Sequence, residues 1–422
     1  MTIDVVLGID IGTSGVRIAA TDRSHALKAM SPAPIEAPLQ TSGRILQHPA
    51  VWWTAVLTAF KGLNLSGLNV RAIAIDGTSG TILAVHADGS PASMGSMYND
   101  AAEPSQVALI AAAAPRETAA LGSTSPLARA IAMRADGLKI LHQADWIMGQ
   151  LSGTYDVTDE NNALKSGYDP VARKWPNWIY AAGFDSSRFP SVVPAGIRVA
   201  TIRPDIATAF GLPTDVAIVS GTTDGCAAFL ASGATDTGDG VTSLGTTLTL
   251  KLLSAKPVFA PDFGIYSHRI GDQWLAGGAS NTGGAAIGKY FTPEDVERLT
   301  PLLEPDTPTG LDYYPLPKPG ERFPINDSSF SPRFEPRPAD DKVFFQAILE
   351  GIAAIEARAY AKLGELGASP LTGIRTTGGG ARNPSWTKIR LKALGVPEQP
   401  SLSGHAAVGT ARLAWRGIGH GN

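Results

Sequence analysis

Four short segments combine acids, hydroxyls and glycines in patterns that suit phosphate chemistry. The first is "GIDIGTSGVRIA", Gly8 to Ala19. Asp10 closes an apolar run, Gly12, Thr13, Ser14 and Gly15 form a turn, and an apolar run resumes. Such a turn gathers backbone N–H groups and hydroxyls in one concavity, a nest for phosphate oxygens. A carboxylate beside it repels phosphate unless a cation lies between them. Mg2+ takes oxygens from both and usually keeps several waters. Asp10 is therefore the candidate metal holder, and Gly12, Thr13, Ser14 and Gly15 the candidate cradle. The same residue types also make an ordinary hairpin turn.

A second turn of this kind, Gly245, Thr246 and Thr247, lies in "TSLGTTLTL". It is placed to clamp the same polyphosphate from another domain, or else it is a β-turn without a ligand. Asp224, in "GTTDGCAAF", has two compatible readings. As an N-cap it would accept from the first N–H groups of a helix, worth about 1 kcal/mol. As a general base it would take a proton from a substrate hydroxyl during phosphoryl transfer, a reaction that needs positioning more than covalent help. In "TTGGGARNPSW", Gly378, Gly379 and Gly380 allow a flat ligand close approach to the backbone. Asn383 and Trp386 could border an adenine there. Equally, Asn383 caps a helix begun by Pro384 and Trp386 belongs to the core. "GGAAIGKY", Gly283 to Tyr290, imitates a Walker A loop but has Tyr290 where Ser or Thr must hold Mg2+. It is rejected.

Composition sets outer bounds. The 422 residues favour two to three domains. A net charge of −3 gives no general attraction to nucleic acid or anionic lipid. Cys226 is the single cysteine, so neither an intrachain disulfide nor a cysteine metal cluster forms, as expected of a cytoplasmic chain. The opening "MTIDVVLGID" has no basic region before its apolar run, unlike a secretory signal. No apolar run reaches the roughly 18 residues of a membrane span.

The elements that position these segments follow from periodicity. Strands are expected at Val5–Asp10, Val16–Thr21, Arg71–Asp76 and Ile82–His86, and helices at Pro49–Phe60 and Ala135–Leu151. A strand restarts at Val216, a short helix follows to Gly233, and two strands flank the second turn. The two Gly-Thr turns form a weak internal repeat, one near the start of each half. They suggest related domains over 1–215 and 216–422. Residues 306–341, rich in Pro and Asp, predict a long loop. A helix then buries Phe345, Ile348, Leu349, Ile352, Ile355 and Leu363 on one stripe.

Together, in this order, the segments resemble the FGGY family of carbohydrate kinases, within the actin-like ATPase superfamily. "GIDIGTSGVRIAATD" is similar to its first phosphate motif, and "SGTTDGCAAFLASGA" to its catalytic-aspartate segment. "TSLGTTLTL" resembles its second phosphate motif, and "TTGGGARNPSWTKI" its adenosine motif. "LKILHQADWIMGQLSG" with "TDENNALKSGYD" is similar to its N-terminal domain. The resemblance implies an α/β fold of two ribonuclease-H-like domains, each a mixed sheet flanked by helices, around a cleft. It also implies ATP on the second domain and sugar on the first.

"DGTSGT" with "MYND" at Met97–Asp100 resembles a short subgroup acting on D-ribulose, and plant enzymes labelled xylulokinase-like. In that comparison Ser79 bonds the sugar, with Asp76 and Thr78 as helpers. A strand-end turn would suit the same residues. "GHAAVGTARLAWRG" departs from the family's C-terminal pattern at His405. The expectation is an ATP- and Mg2+-dependent ketopentose kinase, monomer or homodimer, with Asp224 as base. D-ribulose is the first substrate and D-xylulose the second. Its rivals are a sugar-binding regulator without catalysis and an actin-like ATPase with a protein partner.

Overall fold

Apolar residues at nearly every position of the first strands require a sheet covered on both faces. In the computed structural model, which describes residues 2–133 and 137–419, that sheet has six strands. They are β1 (Ile3–Ile11), β2 (Gly15–Thr21), β3 (Leu27–Pro34), β4 (Leu68–Gly77), β5 (Arg198–Thr201) and β6 (Ala217–Thr223), in the order β5-β6-β4-β1-β2-β3. β1, β4 and β6 are parallel neighbours, whereas β1–β2 and β2–β3 are antiparallel. The register ends all three parallel strands on one line. Asp10 pairs with Asp76, Asp76 with Thr222, and Gly77 with both Ile11 and Thr223.

One face of this sheet carries α1 (Pro49–Gly62), whose Trp52, Val56 and Ala59 are buried in the core with Leu7, Ile9 and Ile18. The other receives α2 (Asp224–Ala231) and, from the far end of the chain, α5 (Ala406–Gly417). Small residues let these backbones meet. A Cβ on Gly8 would lie 1.9 Å from the Ala407 carbonyl oxygen, and one on Gly409 would lie 1.9 Å from that of Ala227.

The second unit is built around β7 (Asp239–Leu244), β8 (Leu248–Ser254), β9 (Gln273–Ser280) and β10 (Gly373–Thr377), in the order β9-β8-β7-β10. β7 and β10 are parallel. α3 (Asp341–Glu365) buries the whole expected stripe from Phe345 to Leu363. Each such side chain contributes about 1.5–3 kcal/mol. α4 (Pro384–Leu394) packs against it. Among the described residues, 304–340 hold no helix or strand, as the Pro-rich composition predicts.

Two expectations differ from the structure. The first unit comprises Met1–Gly233, His268–Gly271 and His405–Asn422; the second comprises Ala234–Ser267 and Asp272–Gly404. The division therefore falls after Gly233, not at Asp215. β6 pairs with β4, and the hydrogen bonds and apolar face of a central strand outweigh its place in the chain. The helix expected over Ala135–Leu151 is a strand, Lys139–His142, followed by a helix, Gln143–Ser152. Lys139–His142 pairs with Ile82–Val85, so sheet pairing overrides helical periodicity there. Ala135 and Asp136 lie outside the described residues. Among the described residues no helix is long and apolar enough to cross a membrane.

Candidate active site

Asp10 and Asp76 stand side by side where β1 and β4 end, on strands about 4.8 Å apart. Asp10 is 6% exposed and Asp76 is fully buried. Burial drives the Asp10 carboxyl above its ordinary value, with help from the charge of Asp224. Its bonds to Asp76 and to Arg17, 3.6 Å away on β2, oppose the rise. Asp76 is pushed well above its ordinary value, by burial first and then by the Asp10 charge. The Thr410 hydroxyl on α5 donates to Asp76 Oδ2, while no N–H or hydroxyl reaches Oδ1. Burial and the neighbouring carboxyl both favour the neutral form of Asp76.

The turn after β1 is closed by Gly12 N–H on the Gly15 carbonyl, at 3.0 Å. The next two N–H groups, of Thr13 and Ser14, have no backbone acceptor. In the second unit Gly245 N–H bonds to the Thr247 carbonyl at 3.3 Å, and the N–H groups of Thr246 and Thr247 are likewise left without one. The rejected Walker-like segment explains the shape of this second turn. Gly284 N–H donates to the Gly245 carbonyl at 2.9 Å, and Ala285 N–H to the Thr246 carbonyl at 3.0 Å. The carbonyls are thereby turned inward and the N–H groups remain. Gly283 has φ +135°, and a Cβ there would lie 2.8 Å from the Thr247 backbone.

The cap reading of Asp224 is corrected by the structure. Thr223 is the N-cap of α2, its hydroxyl accepting from Cys226 N–H, and Asp224 is the first helical residue. Its Oδ1 accepts from Gly225 N–H at 2.6 Å. The carboxylate is half-buried and not consumed by the cap. Asn161 and Asn162 brace the strand before it, bonding Thr222 through its hydroxyl (3.0 Å) and its carbonyl (3.2 Å).

The loop 77–81 lies beside Asp76. Thr78 gives its N–H and its hydroxyl to Gln143 Oε1, at 3.1 and 2.9 Å. Ser79 Oγ is buried without a partner. Asp76 is buried with Thr410 on its Oδ2, and the Thr78 hydroxyl bonds to Gln143 and Thr81. Ser79 keeps an unused hydroxyl, and Asp76 an unused Oδ1.

In the second unit, Gly378 (φ +84°) sits against β7; a Cβ would lie 2.7 Å from the Leu244 carbonyl oxygen. The glycine run and the Gly245–Thr247 turn are thus neighbours at the ends of parallel strands. Gly378 and Gly379 are exposed. Asn383 caps α4, its Oδ1 accepting from Trp386 N–H at 2.9 Å, and its Nδ2 donates to Thr300. Trp386 is corrected from an adenine border to a core residue. It is 4% exposed, donates Nε1–H to the Leu349 carbonyl, and supports Gly380 from beneath. Below this layer, Arg390 and Glu356 form a fully buried two-pronged ion pair, both bonds 2.6 Å.

Thr410, Gln143, Asn161 and Asn162 were not legible as site residues in the sequence. Thr410 is 334 residues from its partner; Gln143, Asn161 and Asn162 lie in the two segments that resemble the family's N-terminal domain, but their spacing alone does not single them out.

Models of the "FGGY family of carbohydrate kinases" match residues 126–231 as its N-terminal domain and 240–418 as its C-terminal domain. The chain belongs to that family. A xylulose kinase of Staphylococcus epidermidis is 22% identical over 453 aligned positions, covering 99% of this chain and 89% of that enzyme. An L-fuculokinase of Salmonella typhi is 27% identical over 266 positions, 58% of this chain and 52% of that enzyme, so the match spans about half its length. The fold is shared with a crystal structure titled as a xyloylose kinase from Brucella ovis, with TM-score 0.86, 22% identity, and coverage of 99% of this chain and 91% of that one.

Proposed function

We propose that the chain transfers the γ-phosphoryl group of ATP to a primary hydroxyl of a ketopentose, D-ribulose in the first place. The observation that carries this reading is the carboxylate row. Asp10 and Asp76 lie side by side at the ends of adjacent strands and both feel the charge of Asp224, which is left uncommitted by a neighbouring cap.

Asp224 takes the proton of the attacking hydroxyl. That oxygen bonds to the γ-phosphorus as the bond to the ADP oxygen breaks. Ser79 orients the sugar through its unpaired hydroxyl. The Thr13–Ser14 and Thr246–Thr247 donors receive phosphate oxygens, with Gly12, Gly15 and Gly245 shaping the turns. Gly378–Gly380 and Asn383 form the nucleotide's resting place. Asp10 fits an Mg2+ held chiefly through water: its oxygens suit a hard cation, and no group of three or more metal-ligating side chains exists among the described residues. When bound, the ion supplies neutralisation of phosphate charge.

The test is Asp224→Ala. A base of this kind contributes about 10²–10⁴-fold, so kcat should fall by at least ~100-fold while ATP affinity holds. Normal turnover by this variant removes the mechanism. D-xylulose is the second reading, favoured by the S. epidermidis relative named for that sugar and aligned along 99% of this chain. Measuring kcat/KM for D-ribulose, D-xylulose, L-ribulose, ribitol and glycerol in one assay ranks the two.

A further inference from the structure

Arg129 is 1% exposed, and its guanidinium ties two loops together. One nitrogen donates to the Gly80 carbonyl at 2.6 Å and to the Thr124 carbonyl at 3.1 Å. The other donates to the Ser96 carbonyl and hydroxyl and to the Met97 carbonyl, at 2.8–2.9 Å. The charge is answered one hydroxyl away. Ser96 Oγ donates to Asp100 at 2.6 Å, and Asp100 is gripped by Arg44. Gly80 has φ +97°, a conformation that favours glycine. Its carbonyl would be an unsatisfied buried acceptor without Arg129.

A buried guanidinium is expensive, and a neutral side chain would fill the volume. What only the planar fork supplies is a fixed span between two groups of carbonyls. Those groups belong to the loop 77–81 and the segment 95–100. They are joined a second time where Tyr98 N–H donates to Thr81 Oγ1 at 3.0 Å. Ser79, with its buried and unpartnered hydroxyl, immediately precedes Gly80.

We propose that Arg129 is a positioning residue for the sugar. By locking the Gly80 carbonyl to Ser96 and Met97, it places the Ser79 hydroxyl and so sets the affinity for the polyol without touching it. This rests on the kinase function proposed above.

The test compares wild type with Arg129→Lys and Ser96→Ala. A lysine ammonium reaches one loop but cannot span both. For Arg129→Lys the sugar KM should rise about 10-fold, the scale of one misplaced hydrogen bond, with kcat within about threefold and ATP KM unchanged. Ser96→Ala, which removes one acceptor and the link to Asp100, should raise sugar KM by roughly threefold and decides the matter if Arg129→Lys does not fold. Deuterium exchange of residues 77–82 should quicken in both. Unchanged sugar KM in the folded variants overturns the proposal. Sugar and ATP KM rising together does so too, because that reports general loosening. Wild-type inactivity on every ketopentose defeats the kinase reading instead. Exchange at 77–82 then still judges the clamp, and unchanged exchange overturns it.

Discussion

Thr223 and Asp224 divide two jobs that one aspartate was expected to share. The threonine hydroxyl satisfies an orphan N–H of α2, and the carboxylate beside it stays available. The type and the neighbour were readable; which residue faced the helix end depended on where β6 stopped. Buried acids show the same dependence. Asp159 is 2% exposed. Its Oδ1 accepts from the N–H groups of Asn161 and Asn162, and its Oδ2 accepts from Asn162 Nδ2. Burial, aided by Asp145, lifts its carboxyl to about 7. A folded value above the unfolded one means this contribution to stability is fully present below about pH 4 and is lost as pH rises through about 7. Stability of wild type to thermal unfolding should therefore weaken from pH 5 to pH 8 relative to Asp159→Asn, by on the order of 3 kcal/mol at most. Parallel curves for the two proteins would show that Asp159 does not titrate in this range.

Elements meet here through glycine, and the positions cannot be found by periodicity. With only 1.9 Å between a Cβ placed on Gly409 and the Ala227 carbonyl oxygen, Gly409→Val must push α5 from α2. A loss of about 3 kcal/mol or more in urea unfolding is expected, at the upper end of overpacking costs. A loss below ~1 kcal/mol would mean the helices are not held at this spacing. In the second unit, Glu356 on α3 and Arg390 on α4 tie together the helices behind β7 and β10, with Thr242 and Thr376 as further partners. Arg390→Met alone leaves a buried carboxylate without its cation and should cost about 3–5 kcal/mol. The double variant Glu356→Leu/Arg390→Met should recover most of that. Additive losses in the double-mutant cycle would contradict a coupled pair.

At the scale of the molecule, each unit has its own core and its own set of unused donors. Sugar alone should slow deuterium exchange at 77–81, and ADP with Mg2+ should slow it at 244–247 and 376–383. Nucleotide protection confined to the first unit would displace the adenosine reading of Gly378–Gly380.

The Gly-Thr turns, the aspartates before or between them, the glycine run with its capped helix and the long stripe of α3 are all local, so the sequence alone determined them. Each needs only residues a few positions apart. The division of the chain, the return of α5 to the first sheet, the sealing of Asp76 by Thr410 and the retreat of Trp386 into the core were decided by tertiary structure. Strand pairing and burial act between residues that are distant in the chain, and no local spacing records which partner closes the contact.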